Sequence, residues 1–410
     1  MANVSSSNGL EKRPKLRFPG FDEPWNTALL SDYFVKSTKK NSDGMISNVI
    51  CNSAKQGLIP QREYFDKDIA NSDNTNGYYI IESNDFVYNP RKSADAPYGP
   101  ISSYQYPEAG IVSPLYLCFR AKREINPLYF EWYFRSSAWH RYIYMSGDSG
   151  ARHDRVSIKD DVFFAMPINV PSAKEQERIS LFLDAIERRI ETQRTLVETL
   201  KKYKRGVVRS LLSPENCGLK EVQWQCDTIG NLGSFIKGAP LSKADISETG
   251  TPFILYGELY TTYHEVITSV VRKTEAVVEQ VYHSMVGDVL IPTSGETSEE
   301  ISTASCVMLP GVILAGDLNI FRSTKIDGRI MSYILNHIVN GNIARIAQGK
   351  SVVHVQASEI SKIEISYPDP ETQIRIIKVL EAISNRIESC EKVLNHLAKM
   401  RNSLLQQLFI

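Results

Sequence analysis

The sequence predicts an α+β protein in which two mixed α/β domains each precede a long helix, with an internal pseudo-two-fold duplication. Two segments of the chain, residues 171–212 and 368–409, align with each other without a gap. Both carry apolar residues at the alternating three- and four-residue spacing of a coiled-coil seam. The stretches before them are domain-sized and mix short strand patterns with turn residues. A duplicated domain–helix unit accounts for all three observations.

The repeated segments match along their whole length, and chance does not produce that density of matches in an ungapped alignment. The matched identities include Pro171/Pro368, Gln176/Gln373, Arg178/Arg375, Ile179/Ile376, Leu183/Leu380, Ala185/Ala382, Ile186/Ile383, Arg189/Arg386, Ile190/Ile387 and Glu191/Glu388.

Each repeated segment predicts one long amphipathic helix. Two matching seams on one chain favour pairing of the helices with each other, although each helix could instead pack on its own domain. Lys204 and Arg401 are cations at the same seam position, where a polar residue could set the register of the pair. The residues expected to form the helix pairing are Ile179, Leu183, Ile186, Ile190 and Leu200, with Ile376, Leu380, Ile383, Ile387 and Leu397.

Both helices open with recognisable start signals. Ser172 and Glu175 form a Ser-x-x-Glu capping box after Pro171. In the second copy Asp369 is the expected cap, but Thr372 stands where the first copy has the reaching carboxylate. A proline, Pro214, ends the first helix.

These signals divide the chain into four segments. We expect domains at 1–166 and 214–364 and helices at 167–213 and 365–410. Beyond a shared Phe-Arg-Ser tail, at 134–136 and 321–323, the two domains differ greatly in sequence. Similar helices after divergent domains suggest two recognition domains of different specificity on a common helical framework.

Composition narrows the class of protein. The chain has 410 residues, 42% hydrophobic, with 47 basic and 47 acidic residues, so any nucleic-acid contact must use local positive charge or charge supplied by a partner. The six cysteines are scattered without a CxxC pair, which argues against a zinc cage or a disulfide framework. No signal peptide or apolar run of membrane-spanning length is found. We therefore expect a cytoplasmic protein with reduced thiols and no membrane contact.

No catalytic or metal motif stands out. Phosphate loops, HExxH, GxSxG and the (Asp/Asn)-Pro-Pro-(Tyr/Phe) tetrapeptide of amino-methyltransferases are all absent from the sequence. We expect no catalytic residue, no metal ligand and no cofactor in this chain, which favours a binding protein.

Candidate DNA contacts lie in loops that combine glycine with basic, hydroxyl and aromatic side chains. Taken singly, each loop is more often a solvated loop than a DNA contact, but as a set on two duplicated domains the loops favour DNA binding. The basic run Lys201, Lys202, Lys204, Arg205 and Arg209 could likewise line DNA or complement the helix dipole. The candidates are Lys55, Gln56, Arg91, Lys92, Tyr98, Ser102, Arg152 and His153 in the first domain, and Lys237, Lys243, Tyr256, Ser294, Gln348, Lys350 and Ser351 in the second.

The order of domain, Pro-x-x-x-Glu-Gln helix, domain, Pro-x-x-x-x-Gln helix resembles the specificity subunit of type I restriction-modification enzymes. The segments 110–116, 149–158, 169–191, 237–263 and 347–373 resemble parts of its target recognition domains and conserved helices. The resemblance covers almost the whole chain.

This resemblance implies that each recognition domain binds one half of a bipartite, asymmetric double-stranded DNA target. It implies that the two helices pair antiparallel as a spacer. The implied partners are two methyltransferase subunits and two restriction subunits, which would bring S-adenosylmethionine and ATP with magnesium.

Two alternatives stay open at this point. The chain could serve a methylation-only or related restriction system, or it could be a coiled-coil scaffold that joins two protein-binding domains. A steep fall of DNA affinity with salt would favour DNA binding over the scaffold.

Overall fold

The computed structural model describes residues 12–64, 75–147, 154–347, 349 and 353–410. The chain divides into two compact units, Met1–Arg194 with Lys392–Ile410 and Thr195–Glu391. The division passes through both long helices, so the four boundaries expected from the sequence stay predictions.

The first unit contains a four-stranded antiparallel sheet of order β2-β9-β6-β7 and three two-stranded pairs, β1-β10, β3-β4 and β5-β8. Its elements, with the first long helix that leaves it, are β1 (Asn26–Leu29), α1 (Leu30–Tyr33), β2 (Phe34–Lys36), β3 (Ile50–Ser53), β4 (Gly57–Pro60), α2 (Gln61–Tyr64), β5 (Tyr79–Ile81), β6 (Phe86–Tyr88), β7 (Ile101–Ser103), β8 (Gly110–Val112), β9 (Leu117–Ala121), α3 (Pro127–Arg135), α4 (His140–Ser146), α5 (Asp160–Phe164), β10 (Pro167–Val170) and α6 (Ala173–Leu211).

The second unit contains a five-stranded sheet of order β12-β20-β16-β18-β14, a three-stranded sheet β15-β13-β19, and the pairs β11-β22 and β17-β21. Its elements are β11 (Trp224–Thr228), α7 (Ile229–Leu232), β12 (Gly233–Lys237), β13 (Thr251–Leu255), α8 (Glu258–Thr261), β14 (Val266–Ile267), β15 (Arg272–Thr274), β16 (Asp288–Pro292), β17 (Ser294–Gly295), α9 (Ser298–Ile301), β18 (Ser305–Val307), β19 (Ile313–Ala315), β20 (Leu318–Ser323), α10 (Gly328–His337), α11 (Asn340–Ile346), β21 (Val353–His354), α12 (Ala357–Ile360), β22 (Glu364–Pro368) and α13 (Pro370–Leu408).

The duplication extends from the helices into the sheets. β1 pairs with β10 as β11 pairs with β22, and the second strand of each pair leads directly into a long helix. The three strands β2-β9-β6 recur as β12-β20-β16, with Phe119 facing Phe86 and Phe321 facing Val289. The mixed α/β fold expected from the sequence is thereby confirmed.

The shared Phe-Arg-Ser tail was matched wrongly. Phe134 and Arg135 end helix α3, whereas Phe321 and Arg322 lie in strand β20. The strand register instead places Phe119–Arg120 opposite β6 as Phe321–Arg322 lies opposite β16.

The two cores use different side chains. Phe34, Phe86, Phe119 and Phe134 pack edge to face or stacked in the first unit. Aliphatic residues dominate the second core, including Val289, Ile291 and Ile334. Aromatic side chains in one copy thus stand where the other copy packs aliphatic ones.

The two long helices run antiparallel, as expected. In the first unit Ile179 and Leu183 of α6 share a core with Leu405 and Leu408 of α13. In the second unit Val208 and Leu212, near the end of α6, share a core with Ile376 and Leu380, near the start of α13. The opposite order of contacts along the two helices defines their antiparallel pairing.

The residues expected in the seam are all buried or half-buried. Seven of them are buried, namely Ile179, Leu183, Ile186, Ile190, Ile376, Leu380 and Ile387, and three are half-buried, namely Leu200, Ile383 and Leu397.

The two seam cations behave differently. Arg401 Nη1 lies 2.8 Å from Glu187 Oε2 on the opposite helix. Lys204 Nζ instead lies 2.8 Å from Glu265 Oε2, which precedes β14. The hypothesis that both cations set the register of the helices is therefore wrong for Lys204.

The start of α6 also departs from the expected capping box. The Glu175 N–H donates to Ser172 Oγ, at 3.4 Å, but the Glu175 carboxylate binds Arg17 through two hydrogen bonds of 2.7 and 2.8 Å. The second copy has no such pair, because Thr372 donates its hydroxyl to Asp369. Glu175 therefore ties the segment before β1 to the helix, which is a role beyond capping.

Candidate nucleic-acid interface

A cleft of 370 Å³ opens at one end of the five-stranded sheet in the second unit. Three strands meet there: Lys237 ends β12, Thr293 follows β16, and Leu318 begins β20. One predicted contact residue, Lys237, lines this cleft, and a second, Ser294, directly follows the lining residue Thr293.

The polar groups of the cleft are ordered by short hydrogen bonds. Ser294 Oγ donates to Asp317 Oδ2, at 2.7 Å, and the Thr293 N–H donates to the Asp317 carbonyl, at 2.8 Å. Lys237 Nζ donates to Asn319 Oδ1, at 2.8 Å. Partial desolvation of the Lys237 ammonium lowers its pKa, and the negative charge of Asp317 partly opposes this. The wall thus presents a cation and a carboxylate, both exposed.

Asp317 was not among the residues predicted from the sequence. It follows Gly316, whose φ of +76° lies in the left-handed region and makes the tight turn into β20. The Gly-Asp pair between two apolar strands is a turn signal that could have drawn attention to this carboxylate.

The same end of the sheet in the first unit carries basic side chains. Lys55, in the β3–β4 turn, lies 3.5 Å from Asp95 through Nζ and Oδ2, and both are exposed. Arg91 is exposed and pairs with Arg155 in an isolated β-bridge. The Lys92 N–H donates to the Asp154 carbonyl, at 2.8 Å. The structure therefore gathers three predicted residues, Lys55, Arg91 and Lys92, around one edge.

Equivalent backbone bonds relate these two edges. The Val156 N–H donates to the Pro90 carbonyl, at 2.9 Å, and the Val355 N–H donates to the Thr293 carbonyl, at 3.1 Å. The next residues form matching bridges, Arg91 with Arg155 and Ser294 with His354. At this equivalent edge, the first unit carries Arg91 and Arg155, and the second unit carries Ser294 and His354.

The opposite end of each sheet is nearly the same in both units. Arg120 binds Asp85 through bonds of 2.6 and 2.7 Å, and Arg322 binds Asp288 at 3.2 and 3.3 Å. In each case the aspartate follows a residue with positive φ, and it lies immediately before β6 in the first unit and begins β16 in the second. Burial raises the pKa of Asp288, although the hydrogen bonds that it accepts from the Met285 N–H and from Arg322 lower the pKa and partly offset this effect. These ion pairs belong to the shared frame.

The duplicated glutamines have a structural role as well. Gln176 donates to the Pro171 carbonyl at 3.0 Å, and Gln373 donates to the Pro368 carbonyl at 2.8 Å. Both fasten the first turn of a long helix to the strand before it.

The other predicted contact residues are more scattered. Gln56 is exposed in a turn, Lys243 is exposed at the start of a short 3-10 helix, and Tyr256 is half-buried beside Gly316. Tyr98 is half-buried with its ring 4.9 Å from His140. Ser102 is wrong as a surface contact, because it is buried in β7 and donates to Asn52 Oδ1 at 2.9 Å. Five predicted residues lie outside the described ones, namely Arg152, His153, Gln348, Lys350 and Ser351.

The basic run near the end of α6 does not present one surface. Lys201 binds Glu391 of α13, at 2.6 Å, and Lys204 binds Glu265. Lys202, Arg205 and Arg209 are exposed.

The part of the chain that the structure describes contains no group of three potential metal-ligating side chains. Within the same residues no helix is long and apolar enough to span a bilayer.

Comparisons with known proteins agree with this architecture. Residues 221–399 match the family model described as the type I restriction modification DNA specificity domain. A chain from a structure entitled "Structural basis underlying complex assembly and conformational transition of the type I R-M system" superposes with a TM-score of 0.60 and 16% identity, covering 95% of this chain and 98% of that one. The type I restriction-modification S subunit from M. genitalium superposes with a TM-score of 0.55 and 15% identity, covering 97% and 99%. Curated protein sequences give no significant match.

Proposed function

We propose that this protein is a type I restriction-modification DNA specificity subunit in which each unit reads one half of a bipartite target. The family model matched by residues 221–399 and the fold of the whole chain support this proposal. Specificity subunits of these systems recognise DNA and leave the chemistry to partner subunits. The finer assignment, one half-site for each unit, rests on the duplicated edges.

The observation that carries the proposal is that one frame bears two different sets of edge residues. The ion pairs Asp85–Arg120 and Asp288–Arg322 recur, whereas Arg91 is replaced by Ser294 at the other end of the sheet. Two domains that recognise different DNA sequences would need a common sheet framework with different polar residues at the recognition end. The two units have this arrangement. Arginine is suited to guanine edges and phosphates, whereas Ser294 is buried and donates its hydroxyl to Asp317. We therefore expect the two half-sites to differ.

Exposed apolar residues on the helices support two docking positions for a partner. The repeat matches Phe182 with Val379, Leu196 with Val393 and Tyr203 with Met400, and all six are exposed. Each unit holds one of each pair, so each offers an equivalent set of three. Two equivalent sets favour two copies of one partner, the methyltransferase subunit. We further propose that two restriction subunits join the complex.

S-adenosylmethionine and ATP with magnesium would then belong to these partners. We also propose that the complex acts on DNA in a prokaryotic cell, and that it is therefore cytoplasmic and associated with the nucleoid.

The decisive experiment is to co-express the chain with the methyltransferase subunit from the neighbouring gene and to map methylated adenines across the host genome. The proposal predicts a motif of two unlike half-sites separated by a fixed number of unspecified bases. A contiguous motif would mean that one unit alone reads DNA. No new motif from an assembled, active complex would contradict the proposal.

The stoichiometry has its own test in native mass spectrometry of the purified complex. Tyr203→Glu is expected to remove one methyltransferase subunit and Met400→Glu the equivalent one, because each places a charge in an apolar contact. Glu198→Gln, at an exposed position of the same helix, is the control that retains both. Loss of both subunits from either single variant would contradict two separate positions.

A further inference from the structure

The cleft of the second unit pairs an ammonium with a carboxylate in a way that phosphate binding does not explain. Asp317 is exposed at the cleft, and a carboxylate facing a phosphodiester would repel it. A surface that merely follows the DNA backbone would carry cations alone. Asp317 therefore points to a contact with base edges.

Both groups have unused hydrogen-bonding capacity. An ammonium has three donors, and Lys237 spends one of them on Asn319. Among the described residues Ser294 is the one side chain that donates to Asp317, and it does so on Oδ2. Because Lys237 donates to Asn319 and not to Asp317, the cation and the carboxylate are not consumed by each other.

The Ser294 bond also fixes the direction of the carboxylate. The Ser294 side chain is buried, and the Thr293 N–H holds the Asp317 backbone. A carboxylate anchored at both its backbone and one oxygen loses little conformational freedom when a donor binds the other oxygen.

The pattern matches one base pair in the major groove. A G·C pair presents two acceptors on guanine, O6 and N7, and a donor on cytosine, the N4 amino group. Lysine is a frequent partner of the guanine acceptors, and aspartate accepts from the cytosine amino group. An A·T pair also presents a donor, the adenine N6 amino group, but its two acceptors, adenine N7 and thymine O4, lie on either side of that donor. It therefore does not offer two adjacent acceptors for the free donors of Lys237 beside a donor for Asp317.

We propose that the second unit specifies a G·C pair through Lys237 on guanine and Asp317 on cytosine, with Ser294 positioning the carboxylate. This rests on the proposed function and deepens it by naming residues and the base pair that they recognise. It assigns Ser294 a positioning role and not a direct contact with DNA.

The first test uses the assembled methyltransferase complex and compares methylation maps of the wild type and Asp317→Asn. The amide keeps the size of the side chain and an oxygen for Ser294, so folding should be retained. We expect one position of one half-site to relax from G·C while the other half-site and the gap stay unchanged. Glu248→Gln, which alters another exposed acid of the same unit, should leave the motif intact.

The second test measures binding of the same complexes to DNA duplexes with that G·C pair intact or changed to A·T. For the wild type the change should weaken binding about ten- to a hundredfold. For Asp317→Asn the loss should be much smaller, and for Lys237→Ala both duplexes should bind more nearly alike.

The outcomes separate this inference from the proposed function. A wild-type bipartite motif whose half-sites both survive Asp317→Asn unchanged overturns the inference and leaves the function standing. Equal weakening on all duplexes, with no change in discrimination, also overturns it. Absence of any bipartite motif for the wild type would instead be a failure of the proposed function.

Discussion

Replacing Glu175 by glutamine is expected to destabilise the first unit selectively. The Glu175 side chain is 1% exposed and that of Arg17 is 13% exposed, so the amide would leave a largely buried guanidinium without its counter-charge. Breaking a buried pair by removing one partner costs about 3–5 kcal/mol. The residual exposure of Arg17 puts the expected loss at the lower end, about 3 kcal/mol.

Urea unfolding followed by tryptophan fluorescence measures this loss directly. Three of the four tryptophans, Trp25, Trp132 and Trp139, lie in the first unit. With a denaturant dependence of about 2.5 kcal/mol per molar urea, the midpoint should fall by about 1 M. Glu177→Gln, exposed on the same turn, should change it by less than about 0.2 M. Equal midpoints for Glu175→Gln and the control would refute the assignment of the buried pair.

Three further predictions concern the second unit, the edges and the helices. Burial raises the pKa of Glu265, but the His337 hydrogen bond and the Lys204 charge outweigh this and hold it well below its ordinary value of 4.5. A depressed pKa stabilises the fold above the unfolded value, and this contribution is lost as the pH falls toward the folded value. The stability gap to Glu265→Gln in urea unfolding should therefore be largest at pH 7 and shrink below about pH 4.5; a constant gap contradicts the assignment. Arg91→Ala should reduce the discrimination between bases at one position of one half-site by about 1–3 kcal/mol. An unchanged methylation map would exclude a contact between Arg91 and a base. Adding one heptad to both long helices lengthens each by about 10 Å and should widen the gap between unchanged half-sites by about three base pairs; an unaltered gap contradicts the helices as a ruler.

The helices were the part of the fold that sequence patterns predicted best. Their seams persist over many turns, so the periodicity of Ile179, Leu183 and Ile186 and of their counterparts is unambiguous. Local spacing alone did not predict that Glu175 binds Arg17, because that contact joins residues 158 apart in sequence. Long-range partners of a buried charge are set by tertiary packing and leave no periodic trace.

The duplication of the sheets escaped the sequence comparison for a physical reason. Aromatic packing around Phe86 in one copy is exchanged for aliphatic packing around Val289 in the other, and the loops between the paired strands differ in length. What remains is a short signal, an aspartate at or just before the start of one strand and a Phe-Arg pair in the neighbouring strand. That signal occurs as Asp85 with Phe119–Arg120 and as Asp288 with Phe321–Arg322.

The candidate interface was predictable only in outline. Glycine- and lysine-containing loops predicted two edges, the one in the first unit that holds Lys55 and Arg91 and the one in the second unit that holds Lys237, because such loops follow sheet strands. Ser102 was misplaced because its strand is too short to show alternation, and Asp317 was missed because acids were not sought in a DNA-binding loop.

The central claim is that the two units recognise their half-sites independently. It is tested most directly by giving the chain two copies of one recognition domain. The register of β1-β10 against β11-β22 makes residues 26–170 equivalent to residues 225–367, so the second segment can replace the first between matching strands. We predict that the methylation map of this variant, in complex with the methyltransferase, shows the half-site of the second unit twice and no longer shows that of the first. A folded, assembled complex that still methylates the original two-part motif, or one that recognises neither half-site, would contradict the account.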